Sequence, residues 1–399
     1  MGIQYWYGAY ELLSALLLTI YITSILYLFV FRIGYSKKRP NTQKTTISKS
    51  LEVSVIIPIY NENTDMIKAT LTALLKQNSV IINLITVIKS PNPRQINMIT
   101  TYGKKFHSLK IIIQKGKSSQ NEAYMLGLRE LDTKYTCILA SDTEIKEDYL
   151  VRMLDGLEKT HKNVAFGLLY PKIKNTKAGK FTAIAKIFRQ NITLKGREAL
   201  GLGSYIPGAF AVYRTRFIKA ELKSLMKNDF VMHDLGLTMN LYAHDDTEPY
   251  FIPKKIGTEL EKSTFSGWIL QHARWFMGSL GLISVELEVL TKAKKSIVIG
   301  TIGLILVWNI LPVAIFIGFI LSVIGFLLGL KFFMAYVMVY LVITIILLTL
   351  SDARKYGISY CILFWLVASI IQSLGIIASI YGFIIAKYHE NKTYILFKR

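Results

Sequence analysis

A chain of 399 residues, 52% of them hydrophobic, has room for one sizeable soluble domain plus membrane spans, and no obvious room for two large soluble domains. A formal charge of +22 is compatible with nucleic acid, an anionic membrane surface or a polyphosphate substrate. Much of it flanks apolar segments, at Arg32–Arg39 and Lys292–Lys295, and no nucleic-acid module accompanies it. Membrane lipids are therefore expected partners and nucleic acid is not.

Residues 11–31 carry no charge after Glu11. As a helix rising about 1.5 Å per residue they cross a hydrocarbon core of about 30 Å. A cleaved signal peptide needs a basic start and a shorter apolar core, and residues 1–10 hold no Lys or Arg. Arg32, Lys37, Lys38 and Arg39 instead follow the span, which places the next segment in the cytoplasm. The reading is a transmembrane helix over 1–32 and a basic linker over 33–50.

A soluble domain is expected over 51–260. Short β-branched runs at Leu51–Ile59, Ile81–Ile88, Leu109–Ile113 and Tyr135–Leu139 alternate with helical patterns such as Ile67, Leu71, Leu74 and Leu75. This alternation predicts an α/β fold with a mostly parallel sheet flanked by helices. Ligands of such sheets sit outside the carboxyl ends of the strands. There the sequence puts Pro58, Tyr60 and Glu62 after the first strand, Lys115 and Lys117 after the third, and Asp142 and Glu144 after the fourth. An aromatic, carboxylates and cations on one rim suit a nucleoside diphosphate with a divalent metal.

Asp142-Thr143-Glu144 sets two carboxylates at alternate positions, where both can share a hard cation, Mg²⁺ or Mn²⁺. The competing reading is a cap for the next helix. Gly116-Lys117-Ser118 is not a P-loop, because the glycine needed five residues before Gly116 is replaced by Ile111. Lys117 remains a phosphate contact, or part of an ordinary helix start. His233-Asp234 and His244-Asp245-Asp246 read either as metal ligands or, for one carboxylate, as a base. Asn191-Ile192-Thr193 is a glycosylation sequon by pattern, left unmodified if the domain faces the cytoplasm.

Residues 261–296 form an amphipathic interfacial region, with Trp268, Ile269, Trp275 and Phe276 on an apolar face. That face does not account for Gln271 and Arg274, three apart and so neighbours on a helix. Hydrophobicity returns over 297–399, with about three spans near 297–328, 332–350 and 358–386. Asn309 and Pro312 interrupt the first of these, as one kinked helix or a re-entrant pair.

The order of these segments resembles the inverting family-two glycosyltransferases of GT-A type, whose membrane branch includes hyaluronan, chitin and cellulose synthases. Val55-Ile56-Ile57-Pro58-Ile59-Tyr60-Asn61-Glu62 is similar to the family's opening strand and nucleotide turn, Gly116-Lys117 with Asn121 to its G-K-x-x-x-N segment, and Asp142-Thr143-Glu144 to its metal motif. Pro207-Gly208 through Tyr213-Arg214 is similar to its acceptor-side loop, His233-Asp234 to the segment carrying its catalytic base, and Gln271-His272-Ala273-Arg274-Trp275 to Q-x-x-R-W.

The resemblance implies that Asp234 is the base. It implies donor contacts by Pro58, Tyr60, Glu62, Lys117, Asn121, Asp142, Gln271 and Arg274. Acceptor contacts would come from Gly208, Tyr213, Arg214 and Trp275, and the metal would sit on Asp142 and Glu144. Two features depart from the family: Ile85–Asn92 lacks its second-strand aspartate, and His233 stands where it has an acid. The expected protein is a multi-pass cell-membrane hexosyltransferase with a cytoplasmic catalytic domain. It takes a nucleotide-sugar donor and transfers with inversion to a saccharide in polysaccharide synthesis, or once to a lipid-linked acceptor. A non-catalytic nucleotide-binding transporter or scaffold is the reading from another class.

Overall fold

The computed structural model describes residues 2–36, 51–60, 62–115, 120–203, 205–226, 233–244, 248–280, 291–327 and 332–388. Strand β1 (Leu51–Ile59) buries Val53 to Ile57 without alternation, as a strand covered on both faces does. Helices α2 (Thr64–Leu75) and α3 (Pro93–Gly103) begin at side-chain caps. Asn63 Oδ1 accepts from Asp65 N at 2.8 Å and Asn92 Oδ1 from Arg94 N at 2.9 Å, so each chain reversal above the sheet is fixed by its own sequence. Strands β2 (Val80–Ile88), β3 (Ser108–Ile113) and β4 (Tyr135–Leu139) complete a parallel half, with α4 (Gln120–Arg129) over it.

The rest of the sheet mixes the two directions, with parallel pairing still the larger share over the whole sheet. Strand β5 (Thr143–Ile145), α5 (Tyr149–Thr160), β6 (Val164–Lys172), β7 (Phe210–Arg214) and β8 (Tyr250–Leu260) give the order β3-β2-β1-β4-β7-β6-β8-β5. β6 and β8 pair in parallel, whereas β7 runs antiparallel to β4 and β6, and β5 antiparallel to β8. The cause is connectivity. After β4 the chain turns back at once as β5, and β7 enters from the rim through residues 205–209 instead of by a βαβ crossover.

On that rim lie α6 (Lys177–Phe188), its π-helical continuation Arg189–Gly196, the short turn α7 (Arg197–Ala199), and α10 (Phe265–Leu280); α8 (Thr215–Met226) and α9 (His233–His244) intervene. They meet α1 (Gly2–Ser36) and the helices after residue 291: α11 (Lys295–Ile305), α12 (Leu311–Leu327), α13 (Phe332–Leu348), α14 (Ser351–Arg354) and α15 (Ile358–Tyr388). Among the described residues, Leu16–Gly34 of α1 and Ile358–Tyr381 of α15 are long and apolar enough to cross a bilayer. The apolar stretches Leu311–Leu321 and Tyr336–Leu348 are shorter. Between α11 and α12 the run continues through a π turn, Leu306–Ile310, so Asn309 and Pro312 sit in one uninterrupted helical path.

A single apolar cluster joins these helices to α6, with Phe188 edge-on to Trp365 at 5.1 Å between ring centroids. Tyr21 Oη donates to Ala314 O at 2.6 Å and Ser379 Oγ to Ala273 O at 2.9 Å, which tie α1 to α12 and α15 to α10. A Cβ at Gly34 would strike the Gly196 carbonyl, and one at Gly196 the Phe31 carbonyl, so α1 and the π segment cross backbone to backbone. Asn191 is 2% exposed and accepts from Tyr170 Oη at 3.1 Å, so its burial alone bars glycan attachment in the folded chain, whichever side it faces.

Candidate active site

The parallel half brings its carboxyl ends to one rim. Lys89 N donates to Ile59 O at 2.8 Å and Gln114 N to Ile88 O at 2.9 Å, extending the ladders into the loops. Just beyond β1, Tyr60 N donates to Glu62 Oε2 at 2.5 Å and Gln95 Nε2 to Glu62 O at 2.6 Å. Glu62 therefore shapes the turn that follows Pro58 and Tyr60. Gln114 Nε2 donates to Glu122 Oε2 at 2.8 Å, and Asn121, at the start of α4, is buried beside it in the chain. Lys117 lies outside the described residues.

Asp142 stands where β4 gives way to β5. Thr70 Oγ1 donates to Ser141 O at 2.9 Å, Leu260 N to Asp142 O at 3.2 Å, and Ala140 N to Ala209 O at 2.8 Å, so the loop is held from three sides. Glu144, in β5, is ion-paired with Lys172 at the end of β6. Carboxylate oxygens two residues apart are the donor chemistry of Mg²⁺ or Mn²⁺. No group of three or more metal-binding side chains converges among the described residues, so a cation here would take its remaining ligands from a bound diphosphate or water.

The bond between Ala140 and Ala209 also sets the next feature. It carries the Pro207–Gly208 turn to the Asp142 rim, and Ile206 N donates to Thr238 Oγ1 at 2.8 Å while that hydroxyl donates to Asp234 O at 2.8 Å. Asp234, in the first turn of α9, thereby faces Gly208 so closely that a Cβ there would come within 2.7 Å of Asp234 Oδ2. Only glycine permits this approach.

The side of the rim toward α6 and α10 holds charges inside apolar packing. Lys186 of α6 is 4% exposed and pairs with Glu259 of β8, and its Nζ lies 3.3 Å from Glu261 Oε1. Burial alone would lower the Lys186 ammonium, yet Glu259 and Glu261 outweigh it and hold the group above its ordinary value. Burial pushes the Glu261 carboxyl up, against Lys186. Arg189 lies over the Trp275 ring at 4.8 Å, and although burial opposes its charge, Tyr205, Glu261, Glu259 and Asp234 keep it protonated. His272 is edge-on to Trp275 at 5.2 Å, and burial together with Arg189 pushes its imidazole down to about 3. A cavity opens among these groups, lined on one side by Lys186, Arg189, Glu261, Gln271 and Trp275 and on the other by Pro312, Phe364, Trp365 and Ala368.

The family model described as Glycosyl transferase family 2 matches residues 54–221, from β1 through β7 into α8. The chain carries a glycosyl transferase family 2 domain. A mannosyltransferase from Pyrobaculum calidifontis, PcManGT, solved with GDP-Man and Mn²⁺, aligns over 91% of this chain and 99% of its own at 13% identity and a TM-score of 0.59, a likeness of fold, here the GT-A type. TarS 1-349 from S. aureus, solved with UDP, aligns over 85% of this chain and 93% of its own at 14% identity and a TM-score of 0.42. No curated protein sequence matches the chain.

Within the transferase domain and its flanks, Pro58, Tyr60, Glu62, Asn121, Asp142, Glu144 and Gly208 stand on or near one rim, with Asp234 against Gly208. Gln271, Arg274 and Trp275 share α10, and Gln271 and Trp275 line the cavity. Two expected acceptor residues lie elsewhere. β7 runs away from the rim, so Tyr213 is buried in the core at 1% exposure, and Arg214 pairs in register with Tyr135 at the far end of β4. There Arg214 Nη2 donates to Leu157 O at 2.6 Å and its Nε to Lys162 O at 3.0 Å, tying α5 to the sheet. The expectation that Arg214 touches an acceptor is corrected by this position. Sequence reasoning missed Lys172, Lys186, Arg189, Tyr205, Glu259 and Glu261. Lys186 and Arg189, three apart within the apolar stretch 181–194, and the alternate acids 259 and 261 were the available signals.

Proposed function

We propose that this transferase domain works at a membrane, moving a hexosyl group with inversion from a nucleotide-sugar donor to an acceptor presented by the membrane-side helices. The observation that carries the reading is the contact of Asp234 with Gly208 on the rim that also bears Asp142, beside the helix of Gln271, Arg274 and Trp275. α1 and α15 act as spans, with the domain between them on the cytoplasmic face, where Arg32, Lys37, Lys38 and Arg39 belong.

The turn at Pro58, Tyr60 and Glu62, together with Lys117 and Asn121, takes the nucleotide. Gln271 and Arg274 approach the diphosphate, and Trp275 offers an aromatic face to a sugar. Mg²⁺ or Mn²⁺ would be held by Asp142, and by Glu144 once Lys172 releases it; when bound, it neutralises charge on the diphosphate. PcManGT, of like fold, is solved with Mn²⁺. The acceptor hydroxyl oxygen forms its bond to the anomeric carbon from the face opposite the diphosphate, whose oxygen leaves with the electron pair, and the hydroxyl proton passes to the Asp234 carboxylate. Polysaccharide synthesis and single transfer to a lipid-linked acceptor both use these roles.

Asp234→Asn keeps size and removes the base. Turnover is expected to fall on the order of 10²–10⁴-fold with donor Kd unchanged. Near-native turnover in this variant would overturn the assignment.

A further inference from the structure

Asp234 sits in the first turn of α9, and Thr238, one turn further along the same face, is 2% exposed. A threonine hydroxyl inside a helix commonly donates to the carbonyl four residues back, and Thr238 Oγ1 donates in this way to Asp234 O at 2.8 Å. The same oxygen also reaches outside its helix. It accepts from Ile206 N at 2.8 Å, in the segment that enters β7. At its other end that segment is held by the bond from Ala140 N to Ala209 O at 2.8 Å, just before Asp142 in the chain. From Ile206 to Ala209 the backbone can span at most about 11 Å even when fully extended. One hydroxyl therefore joins the proposed base to the Asp142 rim through a short bridge pinned at both ends.

We infer that Thr238 is a positioning residue for the transfer, whose hydroxyl sets where the Asp234 carboxylate stands relative to the donor rim. The inference rests on the reading of Asp234 as the base and names what holds it. Packing alone leaves that placement open. Leu237 and Leu241 seat α9 on the same apolar cluster as Ile206, but apolar contact is non-directional and does not fix how the helix slides or turns on its bed. The hydroxyl supplies the direction, because its one proton goes to Asp234 O and a lone pair faces Ile206 N. Tolerance at this point is small, since a Cβ at Gly208 would already come within 2.7 Å of Asp234 Oδ2. A displacement of about 1 Å in a reacting group can cost on the order of 10²-fold in rate, so losing the hydroxyl should be felt in turnover before it is felt in the fold.

The test uses the full chain in phosphatidylcholine nanodiscs with Mn²⁺. Thr238→Val keeps the shape and removes the hydroxyl, and Thr238→Ser keeps the hydroxyl. Turnover is read as release of nucleoside diphosphate from GDP-mannose, UDP-glucose or UDP-GlcNAc, whichever the native chain consumes. Thr238→Val is expected to lower kcat about 10–100-fold with donor KM within about 2-fold of native, and Thr238→Ser to restore kcat to within about 3-fold. In an Asp234→Asn background Thr238→Val should cost less than about 2-fold further, because a positioning residue acts through the base. An equal loss in both backgrounds would make Thr238 a structural residue only and overturn the inference. Amide hydrogen exchange gives a reading that needs no donor. Thr238→Val should speed exchange in the peptide holding Ile206 at least about 10-fold and leave β1 unchanged. An unchanged rate at Ile206, or a rise shared equally by β1, would also overturn it. A native chain that consumes none of the three donors sinks the transferase reading, and native turnover in Asp234→Asn sinks the base; the exchange rate tells either failure from loss of the clamp.

Discussion

Two acid pairs sit side by side on neighbouring strands and behave differently. Asp142 and Glu144 lie on and just before β5, Glu259 and Glu261 on and just past β8, with Thr143 opposite Glu259 in the register. Each pair meets one lysine. The Lys172–Glu144 side chains are 52% and 34% exposed, whereas Lys186 is 4% exposed against 22% for Glu259 and 8% for Glu261. An exposed ion pair is worth at most about 1 kcal/mol and exchanges partners readily, while breaking a buried one leaves an uncompensated charge. Identical local chemistry thus yields a replaceable contact on one strand and a fixed one on the next, and burial alone decides which can yield its carboxylate to an incoming cation.

The comparison breaks first at Lys186. Lys186→Met strands the buried Glu261 beside the half-buried Glu259 and is expected to cost about 3 kcal/mol, read as a fall in the urea midpoint. A loss no larger than that of an exposed pair would put the two pairs on one footing. Next, Asp142→Asn should leave the urea midpoint near native yet weaken Mn²⁺-dependent donor binding by about 10–100-fold, measured by titration calorimetry with and without the metal.

A third test concerns the cavity wall shared with the buried pair. The folded value of His272, about 3, lies below the unfolded value of about 6.5, so folding excludes the proton. Its contribution to stability is present above about pH 6.5 and is lost as pH falls toward about 3. The melting temperature should drop across that window, and less steeply in His272→Asn. The smallest effect is expected at Lys172→Met: about 1 kcal/mol of stability or less, with Mn²⁺ binding tightened because Glu144 no longer has a competing partner. Weaker Mn²⁺ binding would mean that Lys172 supports the metal site instead of contesting it.

The rim proposed for the donor was legible because its residues follow from the secondary structure. The runs Leu51–Ile59 and Tyr135–Leu139 are apolar strands, and whatever follows a parallel strand emerges at its carboxyl rim, which is where Tyr60 and Asp142 stand. Arg214 misled for the complementary reason. Its motif was read without the direction of its strand, and an antiparallel β7 carries its end away from the rim. Lys186 and Arg189 were hidden because charges three apart on an amphipathic helix ordinarily reach out to solvent, and only the tertiary packing of α10 and α15 over α6 closes that path. The π segments carry no sequence signature, since a backbone widened by one residue per turn is selected by what packs on it.

The glycine crossing of α1 with the π segment changes what the first helix is for. The segment whose carbonyls meet Gly34 begins at Arg189, so the N-terminal helix is a structural wall of the catalytic unit and not a tether. A chain begun at residue 51 would bare Leu28 and Phe31's contact surface on Ile192 and Phe188, and grafting an unrelated anchor in its place would not restore the fit. Trimming that helix should therefore yield an aggregating protein, and selection on the helix should act on its shape more than on its hydrophobicity.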